Sequence, residues 1–260
     1  MTQPSTQLST HLKQLQADGK KALLAYLVAG DPHKKATVPM MRQLVESGVD
    51  VIEVGVPFSD PEAEGPVIQL GHERALAGGT GLADCLDMVA DFRRDNQTTP
   101  VLLMGYLNPI ETQGYQSFAA AAAKAGVNGT IIVNLPPEEA GELDAQLAKQ
   151  GLESVYLLAP TSTDDRARMI CEASKGFVYY VSLKGTTGAA TLDVSDVQAK
   201  LKRFKAMSSL PVIVGFGVKD PASAKSVAAV ADGVVVGSAI VSLMAEHRED
   251  EAAMLSAVGG

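Results

Sequence analysis

Glu53 stands in the run Val51-Ile52-Glu53-Val54-Gly55-Val56-Pro57-Phe58-Ser59-Asp60-Pro61, a single carboxylate inside an otherwise apolar, strand-like segment. An ionised carboxylate buried without partners is costly, so such a group shifts its pKa or is put to use, and proton transfer is the chemistry it suits. More carboxylates follow at once. Asp60, Glu62 and Glu64 lie in Ser59-Asp60-Pro61-Glu62-Ala63-Glu64-Gly65-Pro66, a path stiffened by prolines and able to aim a side chain. Asp60 and Glu62 read as turn-forming and solvated, while spacing alone leaves Glu64 unassigned.

Two glycine-rich segments, Val214-Gly215-Phe216-Gly217-Val218 and Val236-Gly237-Ser238-Ala239, each follow an apolar run, and the second opens a helical stretch. Backbone N–H groups at such places hold phosphate without needing net positive charge. A third segment, Ser182-Leu183-Lys184-Gly185-Thr186-Thr187-Gly188-Ala189-Ala190-Thr191, is made mostly of small residues. It suits a lid that closes over substrate, and a plain surface loop would read the same.

The elements that must position these groups alternate. Eight short apolar, β-branched runs are candidate strands: Ala22–Val28, Val49–Val56, Pro100–Gly105, Val127–Val133, Leu152–Leu158, Gly176–Val181, Leu210–Gly215 and Ala231–Val236. Helical periodicity fills most of the gaps, as in Phe118–Gly126 and Pro137–Gln150. Near-continuous apolar strands joined by crossover helices imply a parallel sheet, and eight such units in one chain favour a closed (β/α)8 barrel over a doubly wound open sheet. Two additions are expected, an N-terminal helix around Ser9–Leu15 and a helix around Pro66–Ala77 after the second strand. Side chains alternate along a strand, so Val51, Glu53 and Gly55 share one face, and Ile52 and Val54 the other. Glu53 is thereby expected to point into the barrel near the carboxyl end of its strand, where barrel enzymes keep their active sites.

Composition narrows the partners. The 260 residues are 46% hydrophobic and 20% charged, enough for one large core, so residues 1–260 are expected to form a single barrel domain. A net charge of −8 argues against nucleic acid or an anionic membrane surface as partner. Cys85 and Cys171 are too few for a disulfide framework, and His11, His33, His72 and His247 lack metal-ligand spacing. The N-terminal segment lacks a basic stretch followed by an apolar core, and no apolar run nears the roughly 20 residues that cross a bilayer, so a cytoplasmic location is expected.

The run Ile52 to Pro61 then carries a resemblance, together with Ala29-Gly30-Asp31-Pro32, Met104-Gly105-Tyr106-Leu107-Asn108-Pro109, Leu135-Pro136-Pro137-Glu138-Glu139, Tyr179-Tyr180-Val181-Ser182, Thr187-Gly188 and Gly215-Phe216-Gly217. In this order, from about Lys20 to about Leu243, the chain resembles the tryptophan synthase α subunit family. The resemblance implies retro-aldol cleavage of indole-3-glycerol phosphate to indole and glyceraldehyde 3-phosphate, with no cofactor. It implies a β subunit carrying pyridoxal phosphate as partner, in an α2β2 heterotetramer; a stand-alone lyase and a weakly catalytic subunit that mainly activates its partner are the alternatives.

By the same resemblance Glu53 is the general acid/base and Glu64 the second carboxylate, which binds the indole N–H. Tyr26 packs against the indole and Tyr179 lines the channel. Thr187 and Gly188 belong to the lid, Gly188, Gly217, Gly237 and Ser238 to the phosphate cradle, and Phe216 to its wall. Three departures stand out: Glu64 where the family more often has Asp, Asn134 where an Asp usually precedes Leu-Pro-Pro, and Thr186 where Val usually precedes Thr-Gly. Glu64 reaches one methylene further than Asp, and Asn134 removes a charge on the side where the β subunit is expected. Thr186 is close in shape to Val and alters chiefly the polarity of the lid.

Overall fold

A computed structural model describes residues 8–181, 194–215, 218 and 220–260. Its strands are β1 (Ala22–Val28), β2 (Val51–Gly55), β3 (Val101–Gly105), β4 (Gly129–Ile132), β5 (Glu153–Ser154), β6 (Leu157–Leu158), β7 (Val178–Val181), β8 (Val212–Gly215) and β9 (Gly233–Val236). All pair in parallel, in the order β5-β4-β3-β2-β1-β9-β8-β7-β6. The two ends of that order are one piece of chain. Val155 N–H donates to the Thr130 carbonyl on one side and Tyr179 N–H to the Tyr156 carbonyl on the other, which closes a (β/α)8 barrel.

The expected fifth strand, Leu152–Leu158, is therefore two short pieces rather than one ladder. Its start pairs with β4 and its end with β7, because closing a barrel staggers the register and no partner runs alongside the whole segment. The other seven strands form within two residues of their expected limits, β1 matching both of its own. The helix expected over Pro137–Gln150 is shorter, Gly141–Lys149. Pro136 and Pro137 supply no N–H, and the segment before Gly141 folds as turns, with Glu139 and Ala140 N–H donating to the Pro136 and Pro137 carbonyls.

Period-two alternation divides the core in two. Ile52, Val54, Leu27, Leu103, Tyr180, Val212 and Val214 pack outward under the helices. Val51, Leu24, Tyr26, Leu102, Tyr179, Ile213 and Val235 pack inward. The N-terminal helix Leu8–Ala17 joins the inner cluster through Leu8, Leu12 and Leu15, all buried. Each contributes about 1.5 to 3 kcal/mol by leaving water. Glu153 anchors that helix, accepting from the Ser9 N–H and, at 2.6 Å, from its hydroxyl. At the opposite end the helix Pro66–Ala77, found at its expected limits, lies against β1 and carries Arg74. Arg74 donates to Asp31 through Nε at 2.7 Å and Nη2 at 2.9 Å, pinning this helix to the turn after β1.

Candidate active site

Glu53 is the third of five residues in β2, with Tyr26 and Leu102 as its register partners on either side. Its side chain turns inward, as the alternation requires, and it is 0% exposed. Among the described residues neither carboxyl oxygen has a hydrogen-bond partner. Burial alone pushes its pKa from 4.5 up to about 8. A carboxyl in this state holds its proton at neutral pH and can give it up, the property a general acid needs.

Two tyrosines flank it, each passing over a glycine. A Cβ on Gly55 would stand 2.3 Å from the Tyr26 hydroxyl, and one on Gly215 would stand 2.2 Å from the Tyr179 hydroxyl. Only glycine leaves these rings room. Burial first, then the nearby carboxylates Glu53 and Glu64, raises both phenols well above 10, so both hydroxyls stay protonated.

Glu64 sits in the loop after β2, 6% exposed. Its Oε2 accepts from the Tyr106 hydroxyl, which itself accepts the Ala63 N–H at 3.1 Å. Gln69 Nε2 holds the Glu64 carbonyl at 2.8 Å, and Phe58 stacks on Tyr106 with ring centroids 4.8 Å apart. Burial raises the Glu64 carboxyl above its ordinary value while the Tyr106 hydroxyl opposes that rise. A carboxylate accepts more than one bond, so Tyr106 braces Glu64 without using its whole capacity. Asp60 and Glu62 are exposed, as expected for turn residues.

Tyr106 and His72 are the residues that sequence reasoning missed. His72 was visible as one member of Ile68, Gly71, His72 and Ala75, a helix face at i, i+3, i+4, i+7 spacing directly after the carboxylate loop. Its Nδ1 accepts the Phe58 N–H at 3.1 Å, and its Nε2 meets the Tyr26 hydroxyl at 3.2 Å.

Gly237 precedes the helix Ser238–Glu246 at the end of β9, and residues 237–239 are half-buried at the carboxyl end of their strand, the end toward which Glu53 lies in β2. A Cβ on Gly237 would come within 3.3 Å of the Tyr26 Cβ. Thr187, Gly188, Phe216 and Gly217, together with Thr186, lie outside the described residues. Asn134 is exposed, and its Oδ1 accepts the first N–H of the helix Leu107–Gln113, from Leu107, at 2.8 Å. It has a capping role that an Asp would share.

Elsewhere, a cavity of about 230 Å³ bounded by Leu12, Lys21, Pro211 and Asp232 opens at the amino ends of the strands, away from both carboxylates. Among the described residues no group of three His, Cys, Asp or Glu side chains could hold a metal ion, and no helix is long and apolar enough to cross a membrane.

The family model described as tryptophan synthase alpha chain matches residues 12–259. The chain belongs to the tryptophan synthase alpha chain family. The tryptophan synthase alpha chain of Acinetobacter baumannii is 52% identical over 247 residues, 95% of this chain and 92% of that one. The crystal structure of tryptophan synthase subunit alpha from Legionella pneumophila superposes with a TM-score of 0.90 at 45% identity, covering 100% of this chain and 95% of that one. A chain in the tryptophan synthase complex of Pyrococcus furiosus superposes with a TM-score of 0.80 at 37% identity, covering 90% of this chain and 94% of that one. Within the tryptophan synthase alpha family, the Glu53 segment that carried the resemblance is the segment that forms β2 and the loop bearing Glu64.

Proposed function

We propose that this chain cleaves indole-3-glycerol phosphate to indole and glyceraldehyde 3-phosphate, with Glu53 as the general acid/base. The observation that carries the reading is a fully buried, unpartnered carboxyl whose pKa is pushed up to about 8, set between two protonated tyrosines inside the barrel. Indole is a poor carbanion leaving group until C3 is protonated. The neutral Glu53 carboxyl gives its proton to C3, the bond between C3 and the glycerol chain breaks with its electron pair returning to the protonated ring to restore indole, and the electron pair of the adjacent hydroxyl O–H bond forms the aldehyde. The carboxylate left on Glu53 takes up that hydroxyl proton, so acid and base roles close on one group.

Glu64 accepts the indole N–H and stabilises positive charge on the protonated ring. Tyr26 and Tyr179 line the ring and chain. Gly237 and Ser238 at the helix N-terminus hold phosphate, together with Gly188 and Gly217, with Thr187 in the lid and Phe216 beside the cradle. The chemistry calls on no cofactor. Family membership supports a β subunit carrying pyridoxal phosphate as partner, in an α2β2 assembly, and a cytoplasmic setting for one barrel domain spanning residues 1–260. Incubating the purified chain with indole-3-glycerol phosphate tests the reading: indole and glyceraldehyde 3-phosphate should appear in equal amounts, and their absence both alone and with a β subunit would overturn it.

A further inference from the structure

His72 has no part in the chemistry above, yet it is 1% exposed and joins two parts of the site. The direction of its hydrogen bonds follows from geometry. A backbone N–H can only donate, so the bond from Phe58 N–H to Nδ1, at 3.1 Å, requires Nδ1 to be unprotonated. The ring proton therefore sits on Nε2, and Nε2–H donates to the Tyr26 oxygen at 3.2 Å. Tyrosine has one proton of its own, which is then turned away from His72.

The place where that proton is available is defined by the glycines. The Tyr26 hydroxyl lies over Gly55, the inward-facing residue after Glu53, while the Tyr26 Cβ stands beside Gly237. The side chain thus runs from beside Gly237 to a point over Gly55, the inward position next to Glu53 on β2. We propose that His72 is a positioning residue: by occupying the Tyr26 oxygen as a donor, it aims the Tyr26 hydroxyl proton at an acceptor oxygen on the glycerol chain of the substrate. This deepens the proposed cleavage and rests on that reading. Burial, which holds the His72 ring near a pKa of about 4, keeps it neutral, so the arrangement persists through the working pH range.

The alternative is that His72 only secures the Phe58 N–H and with it the loop. Two substitutions separate these roles, because the Gln side-chain amide reaches where Nε2 stands and Asn reaches where Nδ1 stands. His72→Gln keeps a donor for Tyr26 and should stay within about 3-fold of wild-type kcat, whereas His72→Asn keeps the Phe58 contact and should lose about 10-fold, the worth of one ordinary hydrogen bond. KM should change less than kcat in both. In a Tyr26→Phe background His72→Asn should cost nothing further, since the hydroxyl it would have aimed is gone.

The reverse order, with Asn active and Gln impaired, or a full additional loss in the Tyr26→Phe background, would overturn the proposal. Urea unfolding of each variant separates loss of folding from loss of rate. A second arm needs no turnover: ¹⁵N NMR of the ring, assigned by its disappearance in His72→Gln, should report an Nε2–H tautomer from pH 6 to 8. An Nδ1–H tautomer would overturn the hydrogen-bond direction even if cleavage is observed. Failure of the wild-type chain to cleave indole-3-glycerol phosphate with the Nε2–H tautomer in place would overturn the functional reading and the substrate role drawn from it.

Discussion

Replacing Glu53 by Gln should make the protein more stable, and increasingly so as the pH rises. The wild-type carboxyl is fully buried with no partner among the described residues, and its pKa is about 8 in the folded protein against 4.5 ordinarily. Below pH 4.5 the group is protonated in both the folded and the unfolded chain, and its stabilising contribution is intact. Between 4.5 and about 8 the unfolded chain releases the proton while the folded chain keeps it, so stability falls as pH rises and the loss is complete above about 8. That span of about 3.5 pH units, at about 1.4 kcal/mol each, amounts to about 5 kcal/mol. Gln is neutral throughout and nearly the same shape. The stability difference should therefore be below about 1 kcal/mol at pH 5 and grow toward about 5 kcal/mol at pH 9. Urea unfolding of both proteins at intervals of one pH unit measures it. A difference that stays constant across that range would refute the claim that Glu53 is held neutral by burial.

Tyr106→Phe removes the hydroxyl that braces Glu64 and receives the Ala63 N–H, so the Glu64 carboxyl should rise further in pKa and kcat/KM should fall about 10-fold; steady-state kinetics with indole-3-glycerol phosphate measures this. Gly215→Ala places a Cβ 2.2 to 2.4 Å from Tyr179 ring and hydroxyl atoms, and should cost about 1 to 3 kcal/mol in urea unfolding together with a loss of kcat. Asp31→Asn leaves the Arg74 fork without its buried counter-charge and should cost about 3 kcal/mol in the same assay, most of it recovered when Arg74 is also replaced by Met.

Much of the barrel was legible because buried parallel strands have a strong local signature. The inward turn of Glu53 needed only period two, and the start of the helix at Pro66 was marked by a proline at its first position. The broken fifth strand was not legible. Its limits depend on which neighbour it meets at each residue, a property of barrel closure rather than of the segment. The site divides in the same way. Glu53 announced itself by being a charge among apolar residues, whereas Glu64 needed the family resemblance, since its brace, Tyr106, is 42 residues away in sequence. His72 left a weaker trace, a polar residue on an apolar helix face, and its two bonds join β1, the loop after β2 and the helix Pro66–Ala77. Asn134 shows the opposite case. A lost charge drew attention in the sequence, yet its amide oxygen caps a helix as an Asp would.

In the proposed reaction Glu53 transfers the proton on which carbon–carbon cleavage depends. The rate of indole formation from indole-3-glycerol phosphate by the wild-type chain and by Glu53→Gln, each at equal concentration with saturating β subunit, tests it most directly. Glu53→Gln should lower that rate at least about 100-fold, the scale of general acid–base catalysis, in a protein whose unfolding shows it to be folded. Equal rates from the two proteins would contradict it.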